Sequence, residues 1–147
     1  MSVGNVNFEL EASDVGMGIR KVSQTVLYSD LTDSELTGSL ELTDTIPEGS
    51  FVIGSKVTVK TGFTGGNNTT AVVTIGATAG EDDWSDATSM SVADADVLGE
   101  ESEVDLEYQS SAAAVHVRVT VDSDYTTISA GEMVVEVFYL STVLELP

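Results

Sequence analysis

The sequence has no cysteine, two prolines, one tryptophan and one histidine in 147 residues, and only five basic side chains. Without cysteine, disulfides and thiolate-based metal or redox sites are excluded. The five cations are Arg20, Lys21, Lys56, Lys60 and Arg118, and they form no basic stripe. Against 25 acidic residues they leave a formal net charge of −20 at pH 7. A phosphate backbone would be repelled by such a surface, which excludes nucleic-acid binding as the main role. Long apolar runs are also missing: the longest are broken by Glu136 or by glycines, so no membrane span is expected. The first ten residues lack a basic start and an apolar segment, so no secretory signal is expected either.

What is present is a 41% apolar fraction in regular alternation. That pattern separates a packed fold with an acidic skin from a disordered acidic chain. Such a skin costs stability through self-repulsion, which concentrated salt screens, and it points to a saline setting, marine or halophilic. The length suits one domain over 1–147, with an N-terminal arm over 1–18 and a C-terminal tail over 141–147 as its extensions.

The clearest element runs from Phe51 to Phe63. Odd positions Phe51, Ile53, Val57, Val59, Thr61 and Phe63 are apolar or β-branched, with Ser55 the exception, while Lys56, Thr58 and Lys60 alternate with them. Period-2 alternation makes this one long strand with a dry and a wet face, only Val52 being out of step. Burying a handful of these side chains stabilises by roughly 10 kcal/mol before chain entropy is counted. Pro47 and Gly49 launch the strand, and Gly65-Gly66-Asn67-Asn68 ends it in a turn that predicts an antiparallel return over Ala71, Val73 and Ile75.

Weaker alternations flank it. Val6 to Ala12 reads as a first strand; Ile19 to Tyr28 reads as an edge strand guarded by Arg20, Lys21 and Gln24; Leu36 to Leu42 reads as a third. Val104, Leu106 and Tyr108 are expected to face inward, against Glu103, Asp105 and Glu107. Ala113, Val115, Val117, Val119 and Val121 form an inner row. Met133 to Leu140 is apolar on both faces, which fits a central strand or one covered by another subunit. About eight strands with short turns predict an all-β, antiparallel two-sheet sandwich of jelly-roll type. The irregular stretch from Gly80 to Gly99 reads as a functional loop or a contact arm.

Catalytic signals are thin. His116 stands alone on a wet strand face, where a surface role is the ordinary one, and no Gly-x-Ser-x-Gly elbow supports a serine triad. Gly49 to Lys56 has glycines and a lysine, but the order of Ser55 and Lys56 is reversed relative to a phosphate loop. Asn67 and Asn68 open overlapping glycosylation sequons. Asp82, Asp83 and Asp86 are the candidate calcium ligands, since hard cations take several loop oxygens. The EF-hand spacing is absent, and a solvated acidic loop is the simpler reading. No other cofactor is expected. Phe138, Leu140, Val143, Leu144 and Leu146 are candidate interface residues, because they are apolar where a free face or chain end is ordinarily polar.

The run Ile46-Pro47-Glu48-Gly49-Ser50, continuing through Gly54, Val57, Val59 and Thr61, resembles a turn-and-strand segment of small virion proteins of tailed viruses. Gly65-Gly66, Val72 to Gly76, Trp84 and the Ile128-Ser129-Ala130-Gly131 turn before Val134 to Tyr139 extend the resemblance to roughly half the chain. It implies a non-enzymatic structural protein of the virion, decorating and stabilising the capsid surface. Its partners would be the major capsid protein or other virion proteins and its own copies, as a homo-oligomer for which a trimer is expected. The alternative is a carbohydrate- or calcium-binding sandwich module of a fibre or cell surface, with Trp84 and Tyr108 as stacking platforms.

Overall fold

The computed structural model describes residues 18–86, 88–103 and 106–141. The expected strand over Val6 to Ala12, and Val143, Leu144 and Leu146 of the tail, lie outside them. Among the described residues are nine strands in two antiparallel sheets, with short 3-10 turns and no α-helix. The larger sheet has β1 (Gly18–Leu27), β9 (Ala130–Ser141), β4 (Ser50–Thr64) and β6 (Asp96–Glu101) in that order, with β7 (Glu107–Tyr108) extending the β6 edge along β4. The smaller runs β2 (Thr32–Ser34), β3 (Thr37–Glu41), β8 (His116–Val121), β5 (Ala71–Gly76).

The core lies between the sheets. From β9 it takes Met133, Val135 and Val137, and from β8 Val117, Val119 and Val121, as the alternation requires. A buried side chain of this size is worth about 1.5–3 kcal/mol, against about 0.2–1 kcal/mol for a cross-strand pair. The inner rows therefore fix the register, because a slip of one residue would turn a whole row to solvent. β9 is central in its sheet, between β1 and β4, with one face buried and the other, carrying Val134, Phe138 and Leu140, half-buried. β1 is the edge that its charges suggest, with Val22 and Val26 buried and Leu27 exposed.

β4 is a 15-residue strand, but its parity changes partway. Val52 pairs with Tyr139 and Gly54 with Phe138, so Ile53 is the extra residue of a β-bulge. Inward positions are Ser50 and Val52 before the bulge and Ser55, Val57 and Val59 after it, which puts Phe51 and Ile53 outside the core. The bulge needs a residue without a side chain beside β6, since a Cβ on Gly54 would come within 2.2 Å of the Glu100 carbonyl oxygen. Ser55, the polar exception of the inner row, donates its hydroxyl to the Trp84 carbonyl at 2.6 Å.

The expected β4–β5 hairpin does not form. Both edges of β4 are already filled, by β9 and by β6 with β7, and β5 crosses to the smaller sheet to pair with β8. The connecting turn is tied to that sheet instead. Asn68 donates to the carbonyls of Gly65 and Asp124 and accepts from the amides of Ser123 and Asp124, so its side-chain amide ties the turn to that sheet. Asp122 accepts from the Thr69 hydroxyl and from the Thr69 and Thr70 amides.

Those bonds hold the Asp122 carboxyl well below the usual carboxylate range, the Thr69 hydroxyl contributing most. A folded-state pKa below the unfolded value of about 3.9 stabilises above that pH, and the contribution is lost as pH falls towards the folded value. Asp122→Ala is therefore expected to lower the urea midpoint at pH 7 and to show a smaller further loss between pH 4 and pH 2 than the parent chain. Equal acid losses in the two proteins would contradict this assignment.

The stretch after β5 is part of the core. Trp84, Met90 and Val92 are fully buried, and the chain runs along the open edge of β5. Backbone bonds from Trp84 to Ile75, Val73 to Met90 and Val92 to Ala71 make it an irregular edge strand rather than a contact arm. The alternation around β7 is inverted relative to expectation. Leu106 takes a left-handed φ of 50 or so degrees (φ 52) and is exposed, Tyr108 faces outward, and Glu107 turns inward to accept the Trp84 indole N–H at 2.7 Å. Val104 and Asp105 lie outside the described residues.

Candidate interface

The outer face of the larger sheet gathers side chains far apart in sequence. Register places Ile19 of β1 opposite Leu140 of β9, Leu140 opposite Phe51 of β4, and Phe51 opposite Tyr108 of β7. These four make an apolar row running across four strands at one end of the sheet. Phe51 and Tyr108 are in ring contact, with centroids 5.0 Å apart and planes tilted by 51°. Beside the row, Ile19, Ile53, Gly54, Phe138 and Glu101 border a shallow groove of about 420 Å³. Ile19 is 69% exposed and Tyr108 55% exposed, so the row stands open to a partner at both ends.

The same face holds most of the scarce cations. Lys21, Lys56 and Lys60 alternate onto it with Glu101, Glu132 and Glu136, and Lys21 forms an ion pair with Glu136. Three lysines offset three glutamates, so this face is close to neutral on a chain of net charge −20. Long-range repulsion between acidic bodies is weakest where such a face leads.

Of the expected interface residues, Phe138 and Leu140 are half-buried on this face. Ile19, Phe51, Ile53 and Tyr108 complete it; the sequence marks none of them as an interface residue, Tyr108 being expected only as a stacking platform, since the row exists only once four strands are in register.

The acidic loop is organised around itself. Asp83 accepts from the Ala77 amide, and Asp86 accepts from the Thr88 amide and hydroxyl, at 2.7 Å each, which holds its carboxyl below the usual range. Glu103 is pushed up, chiefly by the charge of Asp82, with smaller effects from burial, a hydrogen bond to Asp82, and Asp83 and Asp86. Among the described residues no three acidic or histidine side chains are disposed to hold a metal ion. His116 lies on the outer face of the smaller sheet, 4.0 Å from a Glu41 carboxylate oxygen. Trp84, expected as a stacking platform in the alternative reading, is in the core and offers no face to a sugar.

No protein-family model and no curated protein matches this sequence. Among solved structures, a chain of the cyanophage Pam1 capsid asymmetric unit aligns with a TM-score of 0.57 at 16% identity, covering 96% of this chain and 92% of that one. A chain of the capsid of Ralstonia phage GP4 aligns at 0.55 and 15% identity, covering 88% and 86%. A family two carbohydrate esterase from Cellvibrio japonicus aligns at only 0.26 over 36% of its own chain, too little to carry an argument. At these identities the two capsid chains share the fold.

Proposed function

We propose that this chain is a non-enzymatic structural protein of a tailed-virus particle that sits on the capsid surface and reinforces the shell. It docks through the outer face of the larger sheet onto shell subunits, and it associates with its own copies. The observation that carries the reading is the apolar row Ile19–Leu140–Phe51–Tyr108 on a near-neutral face of an otherwise strongly acidic chain. A contiguous apolar patch rimmed by charged groups is the usual form of a protein-docking surface. The fold shared with chains of two phage capsids supports the setting.

The direct test is sedimentation and mass photometry of the purified chain, alone and with empty heads. Burial of apolar surface drives the contact, and screening relieves repulsion as the Debye length falls from about 10 Å at 0.1 M salt to about 3 Å at 1 M. Association with heads is therefore expected at both salt levels, at least as tight in the higher. A stable monomer that ignores heads throughout would contradict the proposal.

A further inference from the structure

The smaller sheet carries a second feature that the docking reading does not use. Arg118 of β8 sits between Ser39 of β3 and Thr74 of β5 on the outer face of that sheet. Its Nε donates to Ser39 Oγ at 3.0 Å, which fixes the plane of the guanidinium. Gly80 closes over it in a left-handed conformation (φ +90), and a Cβ there would come within 2.5 Å of Nη1. Glycine suits that backbone conformation, and a side chain at 80 would displace the tip of Arg118.

Arg118, Asp122, three threonines (Thr70, Thr74 and Thr120) and two valines (Val72 and Val121) line a cavity of about 410 Å³ under Gly80. No carboxylate among the described residues lies within 4.0 Å of the guanidinium, although the chain has 25 acidic side chains. Asp122 is committed to the Thr69 and Thr70 donors instead. The cavity thus presents the Arg118 guanidinium, threonine side chains, of which Thr74 donates its hydroxyl to the Arg118 carbonyl at 3.5 Å, and two valines, with the Asp122 carboxylate tied to its own donors.

We propose that this cavity binds a carboxylate through Arg118, with Thr74 and Thr120 exchanging hydrogen bonds with hydroxyl or amide groups of the same ligand. A planar fork pairs with a carboxylate through two parallel N–H···O bonds, which a lysine does not reproduce. The volume suits one acidic monosaccharide or the acidic side chain of a partner protein. Both present the same group to Arg118. The inference rests on the smaller sheet alone and stands whether or not the larger sheet docks on a shell.

The test is an amide NMR titration with glucuronate, glucose and N-acetylglutamate amide. Saturable shifts at Gly80, Thr74 and Thr120 are expected with at least one of the two carboxylates and not with glucose. Glucuronate as the tighter ligand identifies an acidic sugar; the glutamate derivative as the tighter one identifies a protein side chain. Arg118→Gln is expected to weaken binding at least tenfold with the melting temperature little changed. Arg118→Lys keeps the charge and, if Arg118→Gln melts early, serves in its place with a several-fold loss. Saturable binding of glucose equal to glucuronate, no shift with either carboxylate up to tens of millimolar, or unchanged affinity in both variants would overturn the proposal.

Discussion

Trp84→Ala is expected to lower the free energy of unfolding by about 3–5 kcal/mol, the range for removing a fully buried large aromatic. Trp84 is a keystone between distant segments. Its amide donates to the Ile75 carbonyl, its carbonyl accepts the Ser55 hydroxyl at 2.6 Å, and its indole N–H reaches Glu107 at 2.7 Å. Truncation leaves a cavity between the sheets and strips a half-buried carboxylate of its donor, which adds to the loss. Domains of this size have about 5–15 kcal/mol in total, so the variant is expected to melt roughly 6–20 °C below the parent chain. Trp84→Phe, which refills most of the volume without the N–H, is expected to fall between the two. Urea titrations followed by circular dichroism check this, and a loss below about 1 kcal/mol would place Trp84 outside the core.

The second large effect is on binding. Ile19→Asp combined with Tyr108→Asp is expected to weaken association with empty heads by about 100-fold or more, or about 2.8 kcal/mol. Both side chains are more than half exposed and end the apolar row, so burying two new carboxylates against a partner opposes docking directly. The same exposure predicts little effect on folding, within about 1 kcal/mol for the pair. Intact melting with lost head binding separates an interface from a core. Heads bound as tightly by the double variant as by the parent chain would remove this face from the account.

The strands that sequence reveals best are those whose inner rows are unbroken, such as Val115 to Val121 and Met133 to Tyr139. Alternation reports burial on one face, and these strands are buried on one face from end to end. Alternation carried through the bulge puts Phe51 and Ile53 on the dry side, whereas the parity change turns them outward. The clue was local: Val52 and Ser55 break the pattern on either side of Gly54, and two opposite breaks around a glycine mark a parity change. No comparable clue exists for the partner of β5, because a short glycine turn suits a hairpin and a crossing between sheets equally. The sheet edge was decided by β6 and β9, which lie tens of residues away. Trp84 read as a loop residue because its neighbours Asp82, Asp83 and Asp86 are acidic, while the contacts that bury it come from β4, β5 and β7. The cross-strand row of the candidate interface is likewise invisible before registration, as each strand gives it one residue.

A cryo-electron microscopy map of heads mixed with the purified chain shows which face of the sandwich meets the shell. Ordered density for the sandwich is expected on the capsid exterior, with Ile19, Leu140, Phe51 and Tyr108 packed against a shell subunit and the acidic loop around Asp82 turned to solvent. Density in which that sheet face points to solvent while another surface meets the shell, or bare heads at saturating protein, would contradict it.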